Sequence, residues 1–290
     1  MRRANDSVAM REYLGLACFA IVLATPRLWA AASTPFSLDD QGGIVVSVTL
    51  NGAGPFKMLL DTGATHSTIT ADIADRTGAR PVAQTNVISP VGSAVRPIVA
   101  VETLSLGPIN VDVILPSVAP ERSFDPKGEI KGLIGQDVLA GLRYTIDFKR
   151  RLIEWHDEAP RQPGTALQLT FEHGRFLVAL PQPGTTLRFV PDSGAGALVL
   201  FEARSRPRLP SIATGETVEL STGTGSQAAS VVRLPELRIG DRTLRNVRAV
   251  AVRRDETHPA AGDGLLPLHF FGRVTFDGPA RTLILDMMFF

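Results

Sequence analysis

Two short acid-centred runs have the composition to do chemistry. The first is Asp61-Thr62-Gly63-Ala64, reached through the apolar run Phe56 to Leu60 and followed by the apolar residues around Ile69. The second is Asp192-Ser193-Gly194-Ala195, reached through Leu187 to Val190 and Pro191 and followed by Ala197 to Phe201. In each, an apolar strand delivers a carboxylate toward the interior, where it is costly unless hydrogen-bonded or put to work. The small residues after it let the chain double back. Two such carboxylates a few ångströms apart cannot both ionise easily, so one holds a proton while the other acts as base. That is the equipment for general acid–base hydrolysis with no covalent intermediate and no metal.

The elements that must position these acids repeat. Gly43 to Leu50 reads as a strand, Asn51 to Gly54 as a turn and Phe56 to Leu60 as the return strand, so Asp61 ends a β-hairpin. Gly174 to Leu180, a turn at Pro181 to Thr186, and Leu187 to Val190 do the same for Asp192. Eighteen positions separate Gly43 from Asp61 and Gly174 from Asp192. Downstream, Gly132-Leu133-Ile134-Gly135 matches Leu265-Leu266-Pro267, and the strand pair Tyr144 to Trp155 matches Phe276 to Leu285. Ser221 to Ser226 occupies the place of Ser89 to Ser93, and Val101 to Gly107 echoes Leu234 to Gly240. Ser67 to Gly78 reads as a strand turning into a short helix, and Pro116 to Lys131 as a polar loop. The chain is a duplicated unit. Such a unit packs about a pseudo-two-fold axis, and a motif beside that axis meets its own copy. Thr62 and Ser193 then place hydroxyls where each could bond across to the other half.

Length and composition agree with this plan. The 290 residues are 44% hydrophobic and 20% charged, with 26 Gly and 21 Pro, which suits many short strands joined by turns. A formal net charge of +1 gives no footprint for nucleic acid. Residues 1–32 read as an export signal, with an uncleaved N-terminal anchor as the alternative: Arg2, Arg3 and Arg11 precede the apolar Tyr13 to Ala24, and Ala30-Ala31-Ala32 offers a cleavage site. The one cysteine, Cys18, falls inside it, which excludes thiol catalysis and cysteine metal sites from the mature chain. The five histidines, His66, His156, His173, His258 and His269, are scattered without metal-ligand spacing. A serine-protease reading, with Ser193 as nucleophile and His66 as base, leaves the duplication unexplained.

Asp61-Thr62-Gly63-Ala64 and Asp192-Ser193-Gly194-Ala195, each with its downstream apolar element, resemble the aspartic proteases over residues 42 to 290. That family includes single-chain two-lobed pepsins and dimeric retroviral-type proteases, and the resemblance is to a single-chain bacterial member, closer in style to retroviral-type units in tandem. It implies an all-β fold of two homologous lobes with pseudo-two-fold symmetry and a cleft between them. The expected organisation is a signal peptide at 1–32, lobe one at 33–160 and lobe two at 161–290. Asp61 and Asp192 are expected as the catalytic pair, supported by Thr62, Gly63, Ser193 and Gly194. Ser89, Pro90, Val91, Gly92 and Ser93 are expected as the tip of a substrate-binding flap. The implied activity is peptide-bond hydrolysis by a secreted or periplasmic monomer. It needs no cofactor and no metal, acts on a peptide or protein, and contacts neither nucleic acid nor membrane beyond its signal. Departures from the family pattern sit in lobe two. Pro191 stands where lobe one has Leu60, and Pro267 where it has Gly135. They keep two other readings open: a catalytically weakened peptide-binding protein, and a peptidase built from two first lobes with lobe two as scaffold. The Ala after each Gly lacks a hydroxyl for the carboxylate, so activity is expected at mildly acidic to neutral pH.

Overall fold

The computed structural model describes residues 32–222, 224–253 and 262–286. All but the last residue of the expected export signal therefore lies outside the described residues. The rest is nearly all β, in a 13-stranded and a 9-stranded sheet.

Lobe one is built around a hairpin. Ile44–Leu50 pairs antiparallel with Ala53–Leu60, and Asn51 and Gly52 at the turn take φ values of 47° and 74°, the left-handed pair that matches strand twist. Alternation buries Phe56, Met58 and Leu60 on one face of the return strand. Ile130–Ile134 lies parallel beside that strand, with Ile134 level with Leu60. Its other edge pairs with Thr68–Thr70. The Asp61 N–H donates to the Ile134 carbonyl at 2.9 Å, which fixes where the acid leaves the sheet. A short helix, Ala71–Arg76, buries Ile73 and Ala74 as the sequence suggests, and Gly78 closes it at φ 66°.

Lobe two repeats this order. Arg175–Gln182 pairs with Thr185–Asp192, Gly264–Pro267 lies parallel beside the latter, and Leu198–Phe201 closes the other side. Pro191 does not interrupt the strand, which runs on through Asp192.

Where the lobes meet, six strands form one continuous run: Ser33–Pro35, Leu152–Trp155, Arg143–Asp147, Arg273–Asp277, Thr282–Asp286 and Thr165–Glu172. Thr145 stands opposite Thr275 at the centre, their hydroxyls 2.8 Å apart. On either side Arg143 pairs with Asp277 at 3.0 Å and Arg273 with Asp147 at 3.4 Å. Tyr144 stacks on Phe276 at 5.0 Å between ring centres. These contacts are reciprocal, so the pseudo-two-fold axis passes between the two threonines. Arg143 is thus an interlobe partner.

Two further strands lie outside those read from the sequence. Ser117–Ala119 opens the stretch read as a polar loop, because Thr68–Thr70 needs a parallel neighbour. Thr165–Glu172 follows the turn-rich stretch Pro160 to Gly164 and pairs with Thr282–Asp286 and with Arg175–Gln182.

Candidate active site

Each acid is held by its own turn. Asp61 Oδ1 accepts from the backbone N–H of Gly63 at 2.9 Å and of Ala64 at 3.1 Å. Asp192 Oδ1 accepts from Gly194 at 2.7 Å and Ala195 at 3.1 Å. One carboxylate oxygen in each acid is thereby tied down, as in a nest of amide donors.

The two turns are pressed together. A Cβ placed on Gly63 would sit 2.5 Å from Asp192 Cγ, and one on Gly194 would sit 3.3 Å from Asp61 Cγ. Glycine is required here for close approach, not for unusual φ. The hydroxyls lock the contact reciprocally. Thr62 Oγ1 donates to the Pro191 carbonyl at 2.8 Å and accepts from Ser193 N–H at 3.0 Å. Ser193 Oγ donates to the Leu60 carbonyl at 2.6 Å and accepts from Thr62 N–H at 3.0 Å. The supporting residues named from sequence therefore meet across the lobe junction. Ser193 has its hydroxyl committed to Leu60, and His66 Nδ1 bonds Thr65 Oγ1 at 2.9 Å, so these residues do not form a nucleophile–base pair.

Burial sets the electrostatics. Asp192 is pushed up to about 8, first by loss of water and then by the neighbouring Asp61 charge, against the downward pull of the Gly194 and Ala195 amides and the Arg175 charge. Asp61 is also raised by burial. The amides of Gly63 and Ala64, the Arg175 charge and a hydrogen bond with Asp192 pull it back down. Two interacting acids, Asp192 buried and Asp61 half-buried, titrate as a pair, sharing one proton over the range between their steps. The elevation expected from missing hydroxyls is present, but its main cause is burial.

The floors beneath the two acids differ. Under Asp61, Gln136 Nε2 donates to the Thr62 carbonyl at 2.7 Å, and Ser67 Oγ bonds both Asp137 Oδ1 at 2.8 Å and Gly135 N–H at 3.1 Å. A Cβ on Gly135 would fall 2.7 Å from the His66 carbonyl carbon, so lobe one needs glycine there. Under Asp192 the matching strand ends in Pro267, level with Asp192, and Leu266 and Leu268 pack there fully buried. His269 bonds the Ala195 backbone, and burial holds its pKa low. Lobe two supports its acid by packing where lobe one uses polar bonds.

The expected flap tip is a hairpin end, between Arg80–Ser89 and Gly92–Leu106. Lobe two extends a matching arm, Ile212–Thr222 with Gly225–Ile239. The tips touch. Ser89 Oγ lies 2.9 Å from Thr222 Oγ1 and 2.5 Å from Thr224 Oγ1, and Thr224 Oγ1 lies 3.4 Å from the Gly92 carbonyl. Pro90, Val91 and Ser93 complete the tip, with Val91 N–H donating to Ser89 Oγ at 3.1 Å.

Sequence reasoning did not single out Gln136, Ser67, Asp137 or Arg175. The first three follow the Leu-Ile-Gly and Asp-Thr-Gly runs directly. Arg175 is the lone charge in the apolar strand 174–180. Among the described residues no group of three or more His, Cys, Asp or Glu side chains is arranged to hold a metal ion.

Two β lobes of one plan, each bringing an Asp turn to the same junction, define a two-lobed all-β protease architecture. A family model described as aspartyl protease matches residues 46–138 and again 182–270. The chain belongs to the aspartyl protease family. No curated protein matches it.

Proposed function

We propose that this chain is a single-chain aspartic endopeptidase whose water is activated jointly by Asp61 and Asp192. The observation that supports it most is the pair itself: a buried Asp192 and a half-buried Asp61 in equivalent, mutually locked turns, poised to share one proton. At neutral pH Asp192 keeps the proton, since it is raised to about 8, and Asp61 is the base. Asp61 takes a proton from a water between the carboxyls as the water oxygen adds to the amide carbon. Asp192 gives its proton to the carbonyl oxygen. Collapse of the resulting diol breaks the C–N bond and passes a proton to the leaving nitrogen.

The reciprocal bonds of Thr62 and Ser193 favour a site completed within one chain over one built from two first lobes. The two equal arms, one per lobe, support the tandem reading with retroviral-type units. Residues 1–32 would deliver the protein across a bacterial inner membrane and be removed there. It would act as a monomer on peptide or protein segments lying beneath the joined arm tips.

The test is cleavage of a mixed peptide library by the purified protein, beside Asp61→Asn and Asp192→Asn, with titration by a statine-type transition-state inhibitor. Cleavage by the wild type, its loss in both variants and one inhibitor bound per chain are expected. A fully active Asp192→Asn would exclude the intramolecular pair. No cleavage of any peptide by the folded wild type would leave a peptide-binding protein.

A further inference from the structure

Arg175 opens the strand that leads into the Asp192 hairpin. It follows Gly174, a turn residue at φ 77° whose Cβ position lies 3.3 Å from Thr65 Cβ in the other lobe. Thr65 belongs to the turn that begins at Asp61. Arg175 therefore starts at the lobe junction, and its charge acts on both Asp61 and Asp192. The first residue of the matching strand in lobe one is Ile44, fully buried and apolar. The duplicated unit is thus asymmetric at this position, with a cation on one side only.

Among the described residues no carboxylate is hydrogen-bonded to this cation; Asp61 and Asp192 act on it only through their charge. Arg175 Nε is buried and makes no hydrogen bond among the described residues. Glu172, its neighbour across the strand pair, gives its carboxylate to Arg188 at 2.5 Å. Oδ1 of each site Asp is already occupied by two amides. A donor taken out of water and left unpaired is costly, and a guanidinium matches a carboxylate with two parallel hydrogen bonds.

We propose that Arg175 is a specificity-determining residue that binds the side-chain carboxylate of an Asp or Glu in the substrate, at a residue flanking the scissile bond. This rests on the peptidase reading above. The acidic side chain pairs with the guanidinium charge, and a basic side chain at the same place meets a like charge, which adds discrimination against it.

The experiment compares matched peptides that differ only by Glu, Gln or Lys at each position flanking the cut, by kcat/KM, for wild type, Arg175→Lys and Arg175→Met. Wild type is expected to favour Glu over Gln by about tenfold at one position, the scale of a charge-assisted hydrogen bond. It should discriminate against Lys more strongly still. Arg175→Met should bring the Glu-to-Gln ratio near one, and Arg175→Lys should keep part of it. Wild type that cuts these peptides with no acidic preference overturns the assignment and leaves the peptidase reading standing. So does an unchanged ratio in Arg175→Met. Failure of wild type to cut any peptide removes the peptidase reading and this assignment together. If Arg175→Met does not fold, Arg175→Lys decides: a Glu-to-Gln ratio equal to that of wild type overturns the assignment, and a reduced one supports it.

Discussion

Thr62→Val tests the lobe junction most directly. Valine keeps the shape of threonine and removes only the hydroxyl. That hydroxyl makes two bonds to the other lobe, donating to the Pro191 carbonyl at 2.8 Å and accepting from Ser193 N–H at 3.0 Å. Thr62 is fully buried and Ser193 is 5% exposed, so water does not replace the lost partner. The variant leaves one carbonyl and one amide of lobe two unsatisfied. Each such group costs about 1–3 kcal/mol, so the pair costs roughly 2–6 kcal/mol. For a chain of this size each kcal/mol lowers the midpoint by about 2–4 °C, which puts the expected drop in Tm at about 4–24 °C. Ser193→Ala should behave alike, because Ser193 Oγ makes the mirror pair of bonds to Leu60 and Thr62. Both variants should also lose activity, since a displacement of about 1 Å between reacting groups costs on the order of a hundredfold in rate. Calorimetry and peptide cleavage on the same preparations check this. A Thr62→Val midpoint within about 2 °C of wild type, with unchanged kcat, would refute the claim that these bonds hold the two acids in place.

Other outcomes follow from the same geometry. The folded-state pKa of Asp192 is about 8 against an ordinary 3.8, so the folded chain holds a proton the unfolded chain has lost. The stability this proton brings is complete below 3.8 and disappears as pH rises through about 8. Asp192→Asn should therefore melt above wild type at pH 8 to 9, with the difference shrinking as pH falls from about 8 toward 3.8; a difference that stays constant between those two values would refute it. Peptide cleavage by wild type should fall off on the alkaline side near the same value, about 8. Gly63→Ala should abolish activity in a folded protein, because its methyl would lie 2.5 Å from Asp192 Cγ, while Gly194→Ala, at 3.3 Å from Asp61 Cγ, should be milder. A reversed order of the two in kcat/KM would contradict the packing. Ser89→Ala removes the contacts to Thr222 and Thr224. It should leave the melting temperature unchanged and raise KM, and a lower melting temperature with unchanged KM would assign these contacts to folding alone.

The duplication and the two Asp hairpins were legible in the sequence because they rest on local rules. Alternating burial, Asn-Gly and Pro-Gly turn chemistry and equal spacing all act within some twenty residues. The cross-lobe roles of Thr62 and Ser193 also followed, once symmetry required a motif near the axis to meet its copy. Thr165–Glu172 was less visible: its strand pairing is decided by distant edges, Thr282–Asp286 and Arg175–Gln182. The same holds for Ser117–Ala119, which exists as a strand because Thr68–Thr70 has an open edge.

What the sequence by itself determined, then, is a two-fold repeated β unit with one acid per unit in a turn fit to approach its copy. Only the tertiary structure decided how unequal the two halves are. Gln136 and Ser67 brace Asp61 with polar bonds, buried leucines support Asp192, and Arg175 places a cation where lobe one has Ile44. It also decided that the arm tips join and that burial, more than any missing hydroxyl, raises the acids. The physical reason is one of range. Periodicity and turn preference are written into neighbouring residues, whereas desolvation, ion pairing and hydrogen-bond satisfaction depend on groups the chain brings together from more than a hundred residues away.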